Sequence, residues 1–130
     1  MVVLDTDILV ALLKGNPEAI ERVRGLEESG ESLSTTIITA YELLKGASIS
    51  SKPEENLAKV QDSISSLRVL ELSLIACGEA ARIYKQLKEK GKLIGEFDVL
   101  IAAIAFSYDE QLVTRDEHFK SIRGTQIVKW

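Results

Sequence analysis

The chain has 130 residues and a mass of 14.3 kDa, the length of one domain built around one hydrophobic core. Hydrophobic residues make up 45% and charged residues 28%, which excludes a disordered chain, and the longest uncharged apolar run, Val99 to Phe106, falls far short of the roughly 20 residues that span a bilayer. Sixteen Lys and Arg against twenty Asp and Glu give a net charge of −4, which argues against broad adhesion to nucleic acid or anionic lipid but not against a site where acids hold a cation and invert the local field.

Val2-Val3-Leu4 has the length and branching of a buried strand, and Thr6 to Leu13 reads as a helix ending at Lys14-Gly15. Asn16-Pro17-Glu18 is a strong helix start, stopped by Gly30. Ser32 to Thr36 predicts a second strand, followed by a helix from about Ile37 to Lys45 closed by Gly46 and a loop from Ala47 to Lys52. Ser51 and Pro53-Glu54-Glu55 open a helix in which Leu57, Val60, Ile64 and Leu67 recur at helical spacing, and Arg68 to Leu72 reads as strand. Ser73 can cap a long helix to Lys90, with Ala76, Ala80, Ile83, Tyr84 and Leu87 as its apolar stripe and Gly91 as its stop. Asp98 to Tyr108 is a helix with no charge inside it, expected to be buried on nearly all sides, and Gln111 to Thr114 and Gln126 to Val128 supply the last strands. Strands alternating with helices imply a single α/β domain over residues 1–130, a three-layer α/β/α sandwich with a mainly parallel central sheet, in which ligands bind at the carboxyl ends of strands.

Cys77 is the single cysteine, which excludes an intramolecular disulfide and a Cys-based zinc site. With no basic leader before Val2-Val3-Leu4-Asp5, the chain is expected to be cytoplasmic.

Four acids stand out by position: Asp5 after the first strand, Glu42 inside an apolar helix, Asp98 opening the uncharged helix and Asp116 after Leu112-Val113-Thr114. Glu42 shares a helix face with Ile38, and Asp98 with Ile101, Ala102 and Ala105, so both are expected to point inward. Clustered carboxylates repel and raise one another's pKa, and a bound Mg²⁺ or Mn²⁺ with oxygen ligands relieves that repulsion. Taken singly, each acid has another account: Asp5 and Asp98 as helix N-caps, Asp116 as a turn residue, Glu42 as the partner of Lys45 one turn on.

The segments Leu4-Asp5-Thr6, Thr35 to Gly46 around Tyr41-Glu42-Leu43, Gly95-Glu96-Phe97-Asp98-Val99-Leu100-Ile101-Ala102-Ala103 and Val113-Thr114-Arg115-Asp116-Glu117-His118-Phe119 occur in an order and spacing that resembles the PIN domain, the nuclease fold of the VapC toxins of type II toxin–antitoxin pairs. The resemblance covers nearly the whole chain. It implies a Mg²⁺- or Mn²⁺-dependent endoribonuclease with Asp5, Glu42, Asp98 and Asp116 as catalytic metal ligands, an RNA substrate, a cognate antitoxin that places an Arg among those acids, and a homodimer formed through the helices after Asn16 or Ser51. Asp7 departs from the family, in which many relatives carry a small polar residue there.

Around the quartet, Thr6 and Thr114 are expected either to orient carboxylates or to act as capping and strand hydroxyls. Arg115 is the candidate for an RNA phosphate, ahead of Lys85, Lys88, Lys90 and Lys92, and His118 is expected at a helix surface outside the site. Competing readings are a housekeeping RNA-processing nuclease with the same site, a haloacid dehalogenase-like phosphatase suggested by Asp5-Thr6-Asp7, and a non-catalytic binding module.

Overall fold

The computed structural model describes residues 1–130 and orders the elements as β1 (Val2–Leu4), α1 (Thr6–Leu13), α2 (Pro17–Glu28), β2 (Leu33–Thr36), α3 (Ile37–Ser48), α4 (Pro53–Ser65), β3 (Arg68–Leu70), α5 (Leu74–Glu89), α6 (Glu96–Ser107), β4 (Gln111–Thr114), a 3₁₀ turn (Glu117–Ser121) and β5 (Ile127–Lys129). The strands form one five-stranded sheet in the order β3-β2-β1-β4-β5, and every pairing is parallel. None of the helices is long and apolar enough to cross a membrane.

The pleat divides the core. Val2, Leu4 and Val113 point to the face covered by α1 to α4, where they meet Ile8, Leu9, Ala19, Leu43 and Val60. Val3 and Leu112, paired in register, point to the opposite face and pack under Ile83 and Leu87 of α5 and Ile101 and Ile104 of α6. Apolar side chains on both faces of the central strands are what a parallel sheet between two helical layers requires. The connection from β1 leads to β2 on one side, and β5 follows β4 on the other. The chain therefore diverges at the carboxyl ends of β1 and β4, the place where open α/β sheets leave a crevice.

Several boundaries differ from the sequence reading, each for a packing reason. Helix α3 does not stop at Gly46 but runs to Ser48, because Leu43 and Ala47, one turn apart, both bury in the same core and offset the roughly 1 kcal/mol that a mid-helix glycine costs. The expected loop from Ala47 therefore begins as helix. Helix α6 starts at Glu96 with Gly95 as its N-cap, so Asp98 lies inside the first turn and is not the cap. The strand after α4 ends at Leu70, two residues before the expected Leu72, and the last strand lies one residue later than expected. Asn16 and Ser73 do cap their helices, through Ala19 N and Ala76 N, whereas Ser51 does not cap α4, whose N-cap is Lys52.

Helix α6 is the chain's most deeply buried helix and lies under both α5 and the sheet, with Val99 and Ile101 through Ala105 buried. Ile101→Ala, which deletes a fully buried branched side chain, is expected to cost roughly 2–5 kcal/mol of unfolding free energy in urea denaturation; a loss below about 1 kcal/mol would contradict this packing.

Candidate functional site

Each of the four acids arrives at the same crevice from a different element. Asp5 follows β1 and occupies the N-cap position of α1 with an extended backbone, yet its side chain makes no capping hydrogen bond. Its Oδ2 instead accepts from the Thr114 hydroxyl at 2.7 Å, a contact between residues 109 positions apart. A hydroxyl has one proton to give, so Thr114 spends it on Asp5 and accepts in turn from Asp116 N at 3.0 Å. Asp116 caps the 3₁₀ turn through His118 N at 2.9 Å.

Glu42 is held from behind by a line of hydroxyls. Thr6 Oγ1 donates to Glu42 Oε1 at 2.9 Å, which leaves Thr39 to donate to Thr6 at 3.1 Å and Thr36 to Thr39 at 3.3 Å. The line is anchored where Thr36 caps α3 by accepting from Thr39 N at 3.1 Å. Such a chain polarises each successive O–H and fixes the carboxylate's direction. The sequence gives Glu42 a local partner in Lys45, but the structure turns Lys45 away: its Nζ sits over the rings of Tyr41 and Phe97, 5.3 and 5.2 Å from their centroids.

Asp98 completes the cluster from α6. Ligand atoms of Asp98, Asp116 and His118 all lie within 4.8 Å of one another, and Glu42 and Asp98 line one open cleft. His118, expected outside the site, is exposed on the 3₁₀ turn but has Nδ1 3.1 Å from Asp116 Oδ1. The 3₁₀ turn, which sequence periodicity does not reveal, folds its ring back over the acids. Thr39 and Trp130 are further residues that sequence reasoning missed; Thr39 carried a weak signal as a hydroxyl one turn before Glu42, and Trp130 carried none.

Asp7 and Arg115 form a network at the edge of the crevice, with Asp7 Oδ2 3.3 Å from the Thr114 hydroxyl. Asp7 accepts from Arg115 N at 2.9 Å and from Trp130 Nε1 at 3.2 Å, so both its oxygens are engaged in holding the loop after β4 and the carboxyl terminus. Arg115, the candidate phosphate contact, is turned away from the acids: its guanidinium stacks 3.6 Å from the Trp130 ring centroid, its Nε donates to Trp130 O, and it pairs with Glu18.

The electrostatics are those of a crowd. Burial pushes the Asp5 carboxyl up to about 7, reinforced by the charges of Asp7 and Asp98 and opposed by the Thr114 hydroxyl and the Thr6 N–H. Burial likewise raises Asp98, with Asp116, Glu42 and Asp7 adding to the rise and His118 opposing it. None of Asp5, Glu42 and Asp98 has a Lys or Arg partner. Oriented oxygen donors with no Lys or Arg paired to them are a donor set whose chemistry fits a hard divalent ion, and Asp98, Asp116 and His118 are the residues whose ligand atoms lie close enough to share one.

Comparison with known proteins identifies the fold and the family. The PIN domain family model matches residues 2–124. The "tRNA(fMet)-specific endonuclease VapC" of Salmonella typhimurium is 36% identical over 128 residues, 98% of this chain and 96% of that protein, and "Ribonuclease VapC2" of Haemophilus influenzae is 31% identical over the same shares. Among solved structures, VapBC2 from Rickettsia felis bound to a promoter DNA fragment superposes with a TM-score of 0.93 at 28% identity, covering 100% of this chain and 99% of the other. DNA-bound VapBC from Salmonella typhimurium gives a TM-score of 0.90 at 34% identity, covering 100% and 99%.

The raised Asp5 carboxyl has a measurable consequence. Between about pH 4 and 7 the folded, metal-free chain holds a proton on Asp5 that the unfolded chain has released, so stability from this group is present below that window and lost as pH rises through it, by up to about 4 kcal/mol. In urea denaturation Asp5→Asn is expected to gain on the wild type between pH 4 and 8; a difference between the two proteins that does not vary with pH would contradict the burial of an unbalanced carboxylate.

Proposed function

The chain belongs to the PIN domain family, and we propose that it acts as one domain, a Mg²⁺- or Mn²⁺-dependent endoribonuclease and the toxin of a toxin–antitoxin pair. The observation that carries the reading is the convergence of Asp5, Glu42, Asp98 and Asp116 at one crevice with no Lys or Arg paired to any of them. A divalent cation bound there would neutralise charge on the phosphoryl oxygens and lower the pKa of an attacking water. The protein's part is orientation. Thr114 fixes Asp5, the Thr36-Thr39-Thr6 line fixes Glu42, and the first turn of α6 presents Asp98 beside Asp116. These hydrogen bonds exist before substrate arrives, so little reorganisation is left for the chemical step.

The antitoxin reading rests on the VapBC complexes and on the surface beside the acids. A groove of about 450 Å³ between α1, α3 and α4 runs up to Thr6 and Glu42, with Val10, Leu13 and Val60 as apolar lining and Lys14 and Lys59 at its side. We infer that an antitoxin segment lies in this groove and places an Arg among the carboxylates, where it competes with the metal. The same proposal includes pairing with a second copy of the chain, and a monomer mass in light scattering at assay concentration would reject that part.

Purified protein incubated with total cellular RNA and Mg²⁺ or Mn²⁺ is expected to give discrete cuts, which EDTA abolishes and Asp98→Asn lowers by about 10²-fold or more. Asp98 is half-buried, so the variant keeps the shape while removing an anionic oxygen. Equal cleavage by wild type and variant would overturn the assignment of activity to this site.

A further inference from the structure

The chain has three Tyr and three Phe, and one of each stands immediately before a site acid: Tyr41 before Glu42 and Phe97 before Asp98. Their rings meet edge to face, centroids 5.6 Å apart and planes at 87°, although they come from different helices. Lys45 holds its ammonium over both rings, and Phe97 lines the same cleft as Glu42 and Asp98. An edge-to-face pair covers the face of one ring only, and Tyr41 remains 52% exposed, so aromatic surface stays open at the rim of the acids.

We propose that Tyr41 and Phe97, bridged by Lys45, form a stacking platform for one unpaired nucleobase beside the scissile phosphodiester. The inference rests on the endoribonuclease reading and adds to it how the substrate is gripped. A net charge of −4 disfavours broad electrostatic retention of RNA, and carboxylates holding a metal would address only the phosphate. A π-face beside them supplies sequence-tolerant affinity and sets which bond lies over the acids. Lys45 adds a cation next to the adjoining phosphate without neutralising Glu42. A base inside a duplex cannot offer its face to a ring, so the platform selects unpaired nucleotides. Lys45 and Glu42 border the α1, α3 and α4 groove, but the two rings lie outside its lining, which favours a base over an antitoxin side chain as the occupant of the ring faces.

The test uses the full chain and a stem-loop RNA copied from the strongest cut mapped in total RNA, with 2-aminopurine placed beside the scissile bond. Binding is followed with Ca²⁺ in place of Mg²⁺, by fluorescence, and cleavage separately with Mg²⁺. Wild type and Tyr41→Phe are expected to quench the 2-aminopurine. Tyr41→Ala is expected to lose the quench and to raise KM about 10-fold with kcat within about 2-fold. Because Tyr41 is half exposed, its removal leaves the core intact, and Phe97→Ala offers an independent second variant. Undiminished quenching and KM in both alanine variants would overturn the platform while leaving the nuclease standing. So would intact RNA binding together with lost antitoxin binding. A wild type that neither cuts nor binds RNA would overturn the nuclease reading and the platform with it.

Discussion

The structure is organised around mutual repulsion among carboxylates that the fold brings together and leaves without a Lys or Arg partner. Asp5 lies at the end of β1, Asp116 just past β4, Glu42 one turn into α3 and Asp98 in the first turn of α6. The apolar contacts of Val2, Val3 and Leu4 with both helical layers fix β1, and the buried run of α6 fixes the direction in which Asp98 projects. Hydrophobic burial therefore carries the cost of crowding like charges, and the hydroxyls of Thr6 and Thr114 aim the acids without neutralising them.

A second division separates chemistry from scaffolding within one short segment. Thr114, Arg115 and Asp116 are consecutive, yet Thr114 and Asp116 serve the acids while Arg115 is drawn outward to Trp130 and Glu18. Asp7 ties that outward side to α1 and leaves Asp5 to the crevice. The loop after β4 is thus clamped on both flanks. That fits a site whose oxygen positions must be set before a substrate arrives.

Much of this was legible in the sequence wherever the signal was local. The strand run before Asp5, the proline after Asn16, the capping serine at 73 and the uncharged stretch after Asp98 each state their structure within a few residues. The α/β class and all five strands followed from them. The local signals failed where distant contacts decide. Gly46 reads as a helix stop until Ala47 is seen buried beside Leu43. Lys45 reads as the partner of Glu42 until Phe97, far along the chain, draws it aside. Arg115 reads as a free cation because its partners are the indole at position 130 and a carboxylate at position 18. His118 reads as surface, and it is exposed, but the 3₁₀ turn returns its ring to Asp116. As helix caps, Asp5 and Asp98 looked equally ordinary; Thr114, 109 residues from Asp5, and Gly95 as the true cap of α6 are what separate them from capping.

The central claim is that a cation relieves the crowded, partly protonated acids, and metal binding coupled to proton release tests it most directly. Calorimetric titration of Mn²⁺ into the metal-free protein, repeated in buffers of different ionisation enthalpy, counts the protons displaced. Because burial holds the Asp5 carboxyl at about 7, binding near pH 6 is expected to release about one proton or more, falling toward zero near pH 9 and reduced by Asp5→Asn. Binding without proton release near pH 6, or no binding at all, would contradict the account.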